Sequence, residues 1–189
     1  SMGNSMGNVR EYFDLYEKYP KLTGEFIWDF KDQGLLANNS SGKQYWAYGG
    51  DFGDVPNSGN VNCNGVVDAL RNPHPGFYEV KHCYRPVHVE SFDWTTGVAT
   101  VSNGFLFTDL RTLDGADWMA VDGSGQETSR GALGGLALAP GGTKAFALKG
   151  FVGESVTIRF RRNGNVLAWD SFTKPFVPKP LQTSQTSQT

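Results

Sequence analysis

The sequence predicts an α/β segment followed by an all-β domain. Three observations carry this. Up to about residue 86, apolar residues recur at helical steps around a short aromatic run. From Val87 onward, apolar and polar residues alternate one by one. Asp122-Gly123 and Asn163-Gly164 then supply the dipeptides that close tight hairpins.

From Ser5 to Tyr19, the residues Val9, Tyr12, Phe13 and Tyr16 fall on one helical face. Asn4 and Ser5 stand where they can cap the free N–H groups of that helix, and Pro20 stops it. Gly24-Glu25-Phe26-Ile27-Trp28-Asp29-Phe30 is short, aromatic and bounded by turn residues, the pattern of a buried strand. From Lys31 to about Asn72 the chain is dense in Gly, Asn and Asp and carries Tyr45, Trp46, Tyr48 and Phe52 without a sustained period. A loop of that length is functional or disordered, and its aromatics argue against disorder. Asn72-Pro73 reads as a cap and first-turn proline opening a helix with Phe77, Val80 and Tyr84 inward, ended by Pro86.

In the second part, Val87, Val89 and Ser91 alternate with His88, Glu90 and Phe92. The turn Trp94-Thr95-Thr96-Gly97 leads to a strand at Val98–Ser102, and Val156, Ile158 and Phe160 alternate with Thr157, Arg159 and Arg161. Strands this short and this spaced predict an antiparallel β-sandwich of immunoglobulin-like size over residues 87–173. Residues 174–189 carry three prolines and a Thr-Ser-Gln repeat, which predicts a disordered tail.

Composition narrows the function classes. A net charge of −2 gives no electrostatic footprint for nucleic acid or an anionic membrane. No apolar run approaches the ~20 residues that span a bilayer, so the chain reads as soluble. Aromatic content of 13% with 24 glycines suits a loop-rich protein that presents ring faces, and sugars are one class of ligand for such faces. Cys63 and Cys83 have neither a disulfide framework nor metal-ligand spacing and read as ordinary thiols. Asn38-Asn39-Ser40 and Asn39-Ser40-Ser41 match the glycosylation pattern, which matters only on a secretory route.

Five segments, in order, carry a resemblance. They are Ser1-Met2-Gly3-Asn4-Ser5; Gly24 through Gln33; Tyr48-Gly49-Gly50-Asp51-Phe52-Gly53-Asp54-Val55-Pro56-Asn57; Asn64-Gly65; and Pro73-His74-Pro75 with Glu79-Val80-Lys81. Together they resemble the C-terminal quarter of the catalytic barrel of family 2 β-galactosidases. The resemblance implies a partial (β/α)8 TIM-barrel segment over residues 1–86, with the Gly-rich stretch as its long active-site loop. The following domain resembles that family's immunoglobulin-like domain, with Ala168-Trp169 near its last strand.

The implied chemistry is retaining hydrolysis of β-galactosides by two glutamates, ~5–5.5 Å apart. In the family the nucleophile, a substrate-contacting histidine, the acid/base glutamate and the principal magnesium ligands all precede the segment matched by Ser1. No catalytic residue is therefore expected in this chain. The residues read the same way: Asp29, Asp32, Asp51 and Asp54 look like loop or cap acids, and His74, His82 and His88 sit in no evident triad.

What the resemblance assigns here is binding. Trp28 matches a tryptophan in the floor of the sugar site; its position alone leaves a core role equally open. Asn64 matches a residue whose side-chain oxygen helps bind sodium beside the substrate. Val61 matches the residue whose backbone carbonyl serves that ion, although the family usually has an aromatic there. Asn57 matches a position linked to a peripheral magnesium, with a turn-forming role after Pro56 equally open. Ser58 replaces the family's aspartate. Lys31, Asp32 and Gln33 receive no direct role. The expected partners are galactose or a β-galactoside and the remainder of a parent hydrolase. A non-catalytic carbohydrate-binding or interaction module is the competing expectation.

Overall fold

A computed structural model describes residues 2–175 of the chain. It divides into two units, the first ending at Arg85 and the second beginning at Pro86. The tail expected over 174–189 lies, from residue 176 onward, outside the described residues.

In the first unit, helix α1 spans Val9–Lys18 and helix α2 spans Pro75–Cys83. Residues 3–8 form turns, so α1 begins later than the sequence predicts. Gly3 stands at φ +60°, outside the helical region, and Asn8, not Asn4 or Ser5, is the cap residue. Along α1, Val9 is buried, Phe13 and Tyr16 are half-buried, and Tyr12 is exposed. Phe13 meets Tyr84 edge to face, with ring centroids 4.9 Å apart. Helix α2 also starts late, with Pro75 in its first turn. Asn72 is taken instead by Asp68, which accepts both its backbone and side-chain N–H groups at 2.8 Å. Cys83, rather than Tyr84, is the buried residue at the end of α2.

The expected strand over 24–30 is absent. Its side chains do alternate, with Phe26, Trp28 and Phe30 exposed and Glu25, Ile27 and Asp29 half-buried. A strand exists only when a neighbour completes the ladder. Among the described residues this segment is followed by one isolated bridge, from Lys31 to Val67. The long loop contains more order than its composition indicates. Strands β1 (Leu35–Asn38) and β2 (Gln44–Ala47) pair in a hairpin, and a 3-10 turn covers Gly59–Asn62.

The second unit is built from antiparallel strands. β3 (Val87–Asp93), β4 (Val98–Asn103) and β7 (Thr143–Ala147) form one sheet in the order β3-β4-β7. β5 (Gly115–Val121), β6 (Glu127–Ala132), β8 (Ser155–Arg162) and β9 (Asn165–Thr173) form the other, ordered β6-β5-β8-β9. Both sheets feed one core: Val87, Val101 and Phe146 from the first join Trp118, Ile158, Phe160 and Ala168 from the second. Asp170 of β9 also accepts the backbone N–H of Val89 at 2.8 Å. The hairpin joining β8 to β9 turns through Asn163 and Gly164, both at positive φ, as a type I′ turn requires.

One predicted phase is corrected. An irregularity in register between Val89 and Ser91 inserts a residue into β3. Ser91 is consequently exposed, and Phe92 enters the core to meet Trp94 and Phe151 at 4.9 Å.

Candidate functional site

The site is assembled where residues 62–67 run beside residues 29–33. Asp29 N–H donates to the Asn64 carbonyl at 3.2 Å, Asp32 N–H to Val67 at 2.9 Å and Gln33 N–H to Asn62 at 2.8 Å. The approach is so close that only glycine fits at residue 65. A Cβ there would lie 2.2 Å from the Asp32 nitrogen and 2.4 Å from the Lys31 carbonyl carbon.

Asp32 locks the crossing. One of its carboxylate oxygens accepts from Gly65 N–H at 2.7 Å, and the other meets His74 Nε2 at 3.0 Å. His74 N–H donates to the Val66 carbonyl at 3.0 Å, so the start of α2 is pinned to the same segment. Neither Asp32 nor His74 was assigned a role from sequence. The pair is 42 residues apart, and no local pattern announces such a contact. Met2, Asn4, Cys63 and the Asp32–His74 pair line an adjacent hollow. Burial pushes the Cys63 thiol above its ordinary pKa, and the Asp32 charge adds to the shift, so the geometry does not favour a thiolate.

A cavity of about 280 Å³ opens over this crossing, lined by Trp28, Gln33, Gly49, Asp54, Asn57, Ser58, Gly59, Val61, Asn62 and Asn64. The four residues singled out from sequence, Trp28, Asn57, Val61 and Asn64, thus come together in one place. Their environments differ. Trp28 is 76% exposed at the cavity, whereas Asn64 is buried at 8%. The Asn64 Oδ1 is buried without a hydrogen-bond partner among the described residues. A buried amide oxygen left this way costs free energy unless something else meets it, which makes it a candidate ligand atom.

Asn57 is already employed. Its Oδ1 accepts from Gly59 N–H at 3.0 Å, and its Nδ2 donates to the Asp54 carbonyl at 2.9 Å. The loop acids act in the same manner: Asp51 accepts from Tyr48 N–H and Asp54 from Gly50 N–H. Asp29 instead accepts from Gln33 Nε2 at 2.6 Å through one oxygen, while its other oxygen is buried without a partner. Among the described residues, no three His, Cys, Asp or Glu side chains converge as a metal site.

Residues 1–89 match the family described as glycosyl hydrolases family 2, TIM barrel domain. They belong to that family. The chain is 48% identical over 114 residues to a β-galactosidase of Priestia megaterium, covering 60% of this chain and 11% of that protein. It is 46% identical over 110 residues to a β-galactosidase of Leuconostoc mesenteroides, covering 57% and 11%. A β-galactosidase of Photobacterium profundum is 40% identical over 144 residues, covering 68% of this chain and 14% of its own length. That last match covers more of the chain than residues 1–89 account for, so the likeness continues into the second unit. The chain spans only about an eighth of these relatives' length. The family 2 barrel segment therefore contains the whole cavity described above, since every lining residue precedes residue 89.

Proposed function

We propose that the chain is part of a retaining β-galactosidase and supplies one wall of its galactose site. The observation that carries this reading is the cavity shared by Trp28, Val61 and Asn64 within the family 2 barrel segment. The exposed Trp28 indole covers the apolar face of a galactose ring, and the polar lining holds its hydroxyls. That division of labour is what a pyranose requires, because its C–H groups and hydroxyls point in different directions.

The donor set also fits a sodium ion. Sodium takes oxygen ligands, and Asn64 Oδ1 is a buried oxygen in need of a partner. Asn64 Oδ1 and the Val61 carbonyl would hold the ion, which when bound supplies a fixed positive charge beside the sugar hydroxyls. Among the described residues no donor set for magnesium converges. The Asn57 oxygen serves the Gly59 amide, and we assign it to the turn rather than to a metal.

The two catalytic glutamates belong, in this reading, to parts of the parent hydrolase outside these 189 residues, and the chain by itself is inactive. Residues 87–173 are the immunoglobulin-like sandwich that follows the barrel, a reading supported by the single core its two sheets share. The test is hydrolysis of an aryl β-galactoside by the purified chain beside the intact hydrolase. Turnover is expected from the hydrolase alone. Turnover that copurifies with the chain and vanishes in a Trp28→Ala variant would overturn the proposal.

A further inference from the structure

Gln33 is a side chain of the cavity lining to which the resemblance gave no task. It sits on the rim with Trp28 and Asn64. Its amide is oriented by chemistry: the Asp29 carboxylate oxygen can only accept, so the Gln33 Nε2 end faces it, at 2.6 Å. The amide oxygen is the other end of the fork, and it takes no hydrogen bond from the described residues. The backbone beneath is fixed as well, by Gln33 N–H to the Asn62 carbonyl and by the Asp32 contacts to Gly65 and His74. An acceptor held in place before the ligand arrives loses little entropy on binding.

We infer that Gln33 is a substrate-binding residue, its side-chain oxygen accepting a hydrogen bond from one ring hydroxyl of the galactoside stacked on Trp28. The inference rests on the galactose-site reading above. Asp29 is then a positioning residue, since it acts on the sugar only by holding the Gln33 amide.

The experiment measures competitive inhibition of the intact hydrolase by galactose and by 2-, 3-, 4- and 6-deoxygalactose, for the wild type and for Gln33→Met. Methionine keeps the length of the side chain and removes the acceptor. Loss of one neutral hydrogen bond weakens binding roughly 5- to 10-fold. Galactose and three of the deoxy sugars should weaken by that factor, and the sugar lacking the Gln33-bound hydroxyl should bind the variant as it binds the wild type. Equal weakening of all five sugars would overturn the inference in favour of a merely structural role. Weakening that high sodium restores would overturn it in favour of an ion ligand, and no weakening at all would overturn it outright. Trp28→Ala is measured in parallel. If that variant leaves all five constants unchanged, it is the galactose-site reading that fails, a result distinguishable from failure at Gln33.

Discussion

Replacing Asn103 with alanine is the most exacting test of how the second unit is held together. Asn103 ends β4 at 1% exposure, and its side chain makes three hydrogen bonds. Nδ2 donates to the Thr108 carbonyl at 2.9 Å and to the Leu138 carbonyl at 2.8 Å, and Oδ1 accepts from Phe105 N–H at 3.0 Å. One side chain thus ties two connecting segments to the end of a strand. Each lost bond costs about 1 kcal/mol, and more where the partner is left buried, so Asn103→Ala should destabilise the unit by about 3 kcal/mol. For a unit of this size that corresponds to a fall in Tm of roughly 15 °C. The assay is hydrogen exchange of β8 peptides across a urea series, which reports on this unit alone. Asn165→Ala is the control, because its side chain makes an exposed bond to the Asn163 carbonyl and should cost under about 0.5 kcal/mol. A cost for Asn103→Ala below about 1 kcal/mol would refute the argument.

Gly65→Ala should disrupt the crossing that builds the cavity, since the added Cβ meets backbone atoms that have no room to yield; exchange of amides at residues 62–67 should accelerate by more than a hundredfold. The Arg111 side chain, helped by backbone N–H groups, lowers the Asp109 carboxyl pKa to about 2. The sign follows from a folded pKa below the unfolded one: stability is present above about pH 4 and is lost as pH falls through about 2. Asp109→Asn should flatten that part of an acid titration followed by β8 exchange. Burial, with Glu79 beside it, raises the Cys83 thiol to about 11. Its alkylation by iodoacetamide at pH 8 should therefore be at least tenfold slower in the native chain than in urea. In its source, the native product should run far above 20.7 kDa on a blot probed against residues 87–173. A band at 20.7 kDa would favour a separate binding module.

The second unit was more legible than the first for a physical reason. A half-buried antiparallel strand writes its own burial pattern, one residue in and one out, as Val156 to Arg161 do. The slip at Ser91 came from an inserted residue that periodicity cannot reveal, and the turn expected at Asp122-Gly123 runs on to Gln126, with the positive φ at Gly125. Residues 24–30 misled in the opposite sense: they carry a strand's alternation, but the hydrogen-bonding neighbour that makes a strand is a tertiary fact. Strands β1 and β2 are four residues each, too short for a period to emerge. In the cavity, Trp28, Val61 and Asn64 were singled out through motifs rather than through spacing. Asp32, His74 and Gln33 were not, because their contacts arise only when residues 29–33 and 62–67 meet.

The central claim, that Trp28 forms part of a galactose site, is tested most directly by the inhibition constant for galactose in the intact hydrolase carrying Trp28→Ala. Removing a ring face from a stacked sugar should raise that constant about tenfold or more, with hydrolysis of β-galactosides impaired alongside. An unchanged constant would contradict the account.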